Sequence, residues 1–123
     1  MTAASPDERS EATAEATTAA ALASVLPVAP GARVTFVQFS SAFCAPCRAT
    51  RRVLDRVTST TTGVAHVELD VADHAELGER LGIDVTPTVV IVDAHGIERG
   101  RAQGVPTLAQ ARAAIAAVVD AER

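Results

Sequence analysis

One stretch constrains this chain more than any other. A β-branched and aromatic run, Val34-Thr35-Phe36-Val37-Gln38-Phe39, is followed after a brief loop by Cys44-Ala45-Pro46-Cys47, and then by a segment of helical periodicity. The run lies between turn signals and reads as a buried strand. From Cys44 to about Thr58, the residues Ala49, Val53, Leu54 and Val57 form an apolar stripe. Arg48, Arg51, Arg52 and Arg56 take the wet face of the same helix. The two thiols therefore sit where a strand hands over to a helix.

That placement has chemical consequences. A thiol is a poor nucleophile near neutral pH unless its thiolate is stabilised. The unpaired N–H groups and the macrodipole at a helix N-terminus favour negative charge. Cys44 occupies that end and is the expected attacking sulfur. Cys47 lies one turn inside and is expected to be covered. Pro46 fixes one backbone angle at the helix start, where its missing N–H costs little. The loop that this pair closes is too small to restrict the unfolded chain much, so the pair reads as reactive rather than structural. A metal-handling reading needs two further ligands, and His66, His74 and His95 are dispersed without metal-site spacing. No metal is expected, and the three histidines are given no functional role.

The rest of the chain supplies a frame for this site. Residues 1–12 read as a disordered arm and 13–123 as a single domain, the right size for 123 residues. An alanine-rich segment from about Glu15 to Leu26 is a candidate helix, ended by Pro27 and Pro30-Gly31. A second strand is expected over Val64–Val71, and then a short helix capped by Asp73 and ending near Leu81. Thr86-Pro87 leads into a strand over Thr88–Val92, and Asp93-Ala94-His95-Gly96 turns into a fourth over Ile97–Gln103. Thr107 caps a last helix with Leu108, Ala111, Ile115 and Val118 or Val119 on its buried stripe. The order is αβαβαββα, which predicts parallel pairing of the helix-separated strands and an antiparallel hairpin at the edge.

Net charge is −4, and every basic residue is an arginine. That balance argues against nucleic acid or a membrane surface as a partner. The first residues are acidic where a secretion signal would be basic, which points to a reducing, cytoplasmic setting.

From about Val34 to Val119 the sequence resembles the thioredoxin family. Phe43-Cys44-Ala45-Pro46-Cys47-Arg48 is similar to the family's active-site motif, commonly Trp-Cys-Gly-Pro-Cys-Lys. Val67-Glu68-Leu69-Asp70-Val71 resembles its next strand, and Ile83-Asp84-Val85-Thr86-Pro87-Thr88 the stretch that carries its cis-proline. The resemblance implies a thioredoxin-like α/β fold with a mixed sheet of four or five strands. It implies thiol–disulfide exchange at Cys44 and Cys47, reduction of protein disulfides, a reductase-type partner and no cofactor beyond the redox-active disulfide. Thr86–Pro87 should be cis against Cys44, with Phe43, Ala45, Pro46, Thr86 and Pro87 meeting substrate. Arg48 is close enough to favour a thiolate.

The departures are as telling. Gln38 stands where the family usually has a buried aspartate, Glu68 where it has a lysine, and Ser40 where it has an aromatic. Gln38 cannot collect the proton of the resolving thiol; Glu68 is either a displaced base, bonded to Gln38 or to a water near Cys47, or a solvated strand residue with no part in the chemistry. Arg52 replaces a proline that kinks the family's helix, so this helix should be straighter. The alternative function is a redox-inert interaction module on the same fold.

Overall fold

The computed structural model describes Leu22 and residues 32–122. The expected arm over 1–12 lies outside the described residues. So does the candidate helix over 15–26 apart from Leu22, which is helical and fully buried. The described elements are β1 (Val34–Ser40), α1 (Ala45–Thr60), β2 (Val64–Asp70), α2 (Ala75–Arg80), β3 (Thr88–Asp93), β4 (Glu98–Gln103) and α3 (Leu108–Ala121). They build a thioredoxin-like fold around one four-stranded sheet in the order β2-β1-β3-β4.

β1 lies inside that sheet and is buried on both faces, which explains its nearly continuous apolar run. Successive side chains of a strand point to opposite faces. Val34 and Phe36 accordingly pack with Leu54 and Val57 of α1 and with Ala111 and Val118 of α3. Val37 and Phe39 pack on the other face with Leu22, Leu69, Leu77 and Leu81. At α3 the Thr107 hydroxyl accepts from the Gln110 N–H at 3.0 Å, and the Gln110 side chain accepts from the Thr107 N–H at 2.9 Å. This reciprocal box satisfies two donors that a helix start leaves open.

Three expectations need correction. β1 and β2 are parallel, but β3 runs antiparallel to β1 although a helix separates them in sequence. A six-residue helix is about 9 Å long, against about 23 Å for a seven-residue strand, so α2 by itself does not carry the chain back along the sheet. β3 therefore starts near the end where β1 and β2 finish. Asp73 does not cap α2. His74 holds the cap position without a side-chain bond, and the N–H groups of Asp73 and His74 both donate to the Asp70 carbonyl at 3.1 Å. In α1 the residues that are fully covered are Cys47, Thr50, Leu54 and Val57, while Ala49 and Val53 are only half-buried. Thr50 tolerates burial because its hydroxyl donates to the Pro46 carbonyl at 2.9 Å. Among the described residues, no helix is long and apolar enough to cross a membrane.

Candidate active site

Cys44 is the N-cap of α1, with extended backbone angles, and Cys47 lies in the first turn. The two are joined as a disulfide with their Cα atoms 5.2 Å apart. The Cys47 N–H donates to Cys44 Sγ at 3.1 Å, so one of the donors left open at the helix start already points at the outer sulfur. Cys47 is buried while Cys44 is half-buried, giving one sulfur that can meet a substrate and one that waits behind it. Pro46 sits at the helix start, where it displaces no bond.

Phe43 takes a left-handed backbone conformation, with φ of +57°, and its side chain is fully exposed. Non-glycine residues rarely occupy that region, and those that do cluster at functional sites. Beyond the cysteines lies the Thr86–Pro87 bond, which is cis. Ser41 and Thr86 share a hydroxyl–hydroxyl bond of 2.8 Å that ties the cysteine loop to the proline loop. Pro87 is buried, and Thr86 and the exposed Val85 stand beside it at the surface.

Beneath α1 the sheet carries a polar stripe. Gln38 and Ser40 on β1 lie in register with Glu68 and Asp70 on β2. Alternation places His66, Glu68 and Asp70 on one face of β2. Gln38 is fully buried, and its amide donates to the Cys47 carbonyl at 2.8 Å and to Ser40 Oγ at 3.0 Å, with Glu68 Oε2 a third acceptor at 3.2 Å. A carboxylate here could not donate to that carbonyl. The amide oxygen faces His66 Nε2 at 2.9 Å, and His66 Nδ1 lies 3.3 Å from Asp55 Oδ1.

Glu68 gathers the other side of the network. Ser40 donates to its Oε2 at 2.7 Å, and Arg51 grips both oxygens, Nε to Oε1 at 2.6 Å and Nη2 to Oε2 at 3.0 Å. Burial by itself would raise the Glu68 pKa. The Arg51 and Ser40 hydrogen bonds and the Arg51 and His66 charges outweigh it, and hold the carboxyl below its usual range. The same pairing raises Arg51. A carboxylate held down in this way is a weaker proton acceptor. The network also meets Cys47 at its carbonyl, through Gln38. Glu68 thus fits the part of displaced base poorly, although its bond to Gln38 is present.

Each site residue expected from the sequence falls at this end of the sheet, with Arg48 exposed on α1 next to Cys47. Three participants carried no assigned role in the sequence reading: His66, Ser41 through its hydroxyl bond to Thr86, and Arg51 as the clamp on Glu68. The signal for the first was the alternation His66, Glu68, Asp70 on a strand parallel to Gln38 and Ser40. Among the described residues, no group of three or more His, Cys, Asp or Glu side chains could hold a metal ion.

Comparisons with known proteins agree with this geometry. A thioredoxin from Mycoplasma genitalium is 29% identical over 68 residues, which cover 55% of this chain and 66% of that protein. The thioredoxin-like protein CXXS2 of Arabidopsis thaliana is 30% identical over 60 residues, covering 49% of this chain and 39% of that one. The chain thus spans two thirds or less of the length of these relatives. A point-mutant thioredoxin from Halobacterium salinarum superposes with a TM-score of 0.66 at 21% identity, covering 74% of this chain and 79% of that chain, a likeness of fold. The sequence model of the thioredoxin family matches residues 14–117, and the chain belongs to that family.

Proposed function

We propose that this protein is a thiol–disulfide oxidoreductase that reduces protein disulfides through Cys44 and Cys47. The observation that supports it most is the pairing itself. Cys44 and Cys47 are linked across the first turn of a helix, with the outer sulfur accepting a backbone N–H and the inner sulfur buried.

The reaction begins with both cysteines reduced. The Cys44 thiolate attacks one sulfur of a substrate disulfide, forming a mixed disulfide and expelling the other substrate sulfur as a thiolate. Cys47 then gives up its proton to solvent and attacks Cys44 Sγ. The internal disulfide forms, the second substrate thiolate leaves, and two electrons have passed to the substrate. An external dithiol donor, such as a reductase of this class of protein, restores the pair. No cofactor beyond the dithiol enters these steps. Exposed Phe43 and Val85 give an apolar rim on which an extended substrate segment can settle beside Thr86 and Pro87. Arg48 adds positive charge close to the sulfurs, and Glu68 acts as a positioning residue that braces Gln38 rather than as a base. A reducing compartment such as the cytoplasm suits this direction of transfer.

Insulin reduction driven by dithiothreitol tests the proposal. The wild-type protein should accelerate it, Cys44→Ser should abolish the acceleration, and Cys47→Ser should trap the substrate as a mixed disulfide on Cys44. A wild-type protein no faster than dithiothreitol alone would leave the redox-inert interaction module as the better reading.

A further inference from the structure

The two sides of the cysteine pair differ in chemistry. On the β3 side stand the proline loop and the exposed Val85, with Phe43 at the boundary. On the β2 side lies a cleft of about 490 Å³, whose lining includes Ser40, Cys44, Cys47, Arg48, Asp70 and Asp73. That volume falls within the roughly 300–1,000 Å³ usual for small-molecule clefts. Ser40 lines it with a short side chain that is drawn onto Glu68 at 2.7 Å.

The charges around this cleft are of both signs, and they are not equivalent. Arg51 and Glu68 neutralise each other. Asp70 is half-buried and already accepts the Ala72 N–H at 2.8 Å. Arg48 and Asp73 are exposed, and neither has an ion-pair partner among the described residues. A cation and an anion thus line one cleft with both sulfurs and remain available to a ligand.

We infer that this cleft receives a small zwitterionic disulfide of the amino-acid type, such as cystine, with its carboxylate toward Arg48 and its ammonium toward Asp73, and that the protein reduces such disulfides directly. The inference rests on the exchange chemistry proposed above and adds a substrate class to it. The Cys44 thiolate bonds to one cystine sulfur, the cystine S–S bond breaks, and one cysteine leaves as a thiolate that takes a proton from water. Cys47 loses its proton to water and attacks Cys44 Sγ, which releases the second cysteine thiolate. Two electrons move from the protein dithiol to cystine, and an added dithiol reductant returns them. Val85 and the proline loop on the other side remain free for extended polypeptide.

The test uses the full chain, reduced and freed of reductant, mixed with four probes and followed by acid quench and mass spectrometry. Cystine carries both charges, cystamine only the cation, dithiodipropionate only the anion, and hydroxyethyl disulfide neither. Each rate constant is divided by that of the same probe with dithiothreitol, which removes differences in intrinsic reactivity. Cystine should exceed hydroxyethyl disulfide by about tenfold, the scale of two exposed ion pairs, with the singly charged probes between them. Asp73→Asn and Arg48→Gln, both at exposed positions, should each reduce that preference by about threefold. No preference for cystine would overturn the inference. So would a preference matched in full by cystamine or dithiodipropionate, or one that neither substitution lowers. A protein that reduces hydroxyethyl disulfide without favouring cystine refutes this inference alone. A protein that reacts with none of the four refutes the exchange chemistry on which it rests.

Discussion

Replacing Gln38 with methionine keeps the volume of a fully buried side chain and removes its hydrogen bonds. The amide makes three close ones, to the Cys47 carbonyl at 2.8 Å, to Ser40 Oγ at 3.0 Å and from His66 Nε2 at 2.9 Å. At about 1 kcal/mol net each, their loss costs about 3 kcal/mol. Ser40 keeps its bond to Glu68, and the Cys47 carbonyl lies in a helix that supplies other donors. His66 Nε2 loses the one partner it has among the described residues, and its desolvation adds to the cost. The apolar replacement recovers part of this, because a methionine is more readily buried than an amide. The expected net loss is about 2–3 kcal/mol, or a fall in Tm of about 10 °C for a domain of this size. Urea unfolding of the oxidised protein, with wild type and variant at equal slope, measures it. A loss below about 0.5 kcal/mol, the ordinary scatter of neutral substitutions, would show that the polar stripe under α1 does not hold the site together.

Two further outcomes follow from the charged groups. Glu68→Gln should be less stable than wild type at neutral pH. The folded carboxyl is held below its usual range, so its contribution is present above the ordinary glutamate value of about 4.3 and fades as pH falls through the lower folded value. Unfolding curves from pH 7 to pH 3 should therefore converge, and the pH profile of Cys47 attack on a mixed disulfide should keep its shape in the variant. A lost ionisation in that profile would restore Glu68 as the base. Asp93→Ala should cost about 3 kcal/mol. Its fully buried carboxylate accepts the N–H groups of His95 at 2.8 Å and Ile97 at 3.1 Å, and Arg99 Nε at 2.8 Å. Burial would raise this carboxyl, but those donors and the Arg99 charge pull it down, so its support is likewise lost only in acid, below about 3.9. Denaturant titration of the variant at pH 7 checks the magnitude.

The site was legible in the sequence because its determinants are local. A buried strand, a loop and a helix start fix where Cys44 and Cys47 stand, and strong local signals such as Thr107 with Gln110 fix the cap of α3. What was hidden depends on how distant segments meet. The direction of β3 is decided by the length of α2 and by where the chain re-enters the sheet, which composition does not report. Arg51 looked like one arginine among four on a wet helix face. It becomes a clamp because residue 68 on a neighbouring strand lies within its reach. His66 looked like an ordinary strand residue until parallel pairing of β1 and β2 put it beside the Gln38 amide. Asp73 had the right chemistry for a cap, but the Asp70 carbonyl had already taken the N–H groups of the turn.

The departures from the usual family pattern also form a connected set. Gln38, Ser40 and Glu68 are hydrogen-bonded to one another, with the Cys47 carbonyl at one end of the network and Arg51, which matches no named departure, clamping Glu68 at the other. A neutral donor at residue 38 suits a carbonyl above it, and an acid at residue 68 suits the serine and arginine beside it. Each of these residue types makes sense given the others.

The rate of alkylation of each cysteine in the reduced protein, followed from pH 4 to pH 10, tests the account most directly. Cys44 should react with an apparent pKa well below the roughly 8.5 of a free cysteine, and Cys47 should react much more slowly across the range. Equal reactivity of the two thiols, each titrating like a free cysteine, would contradict it.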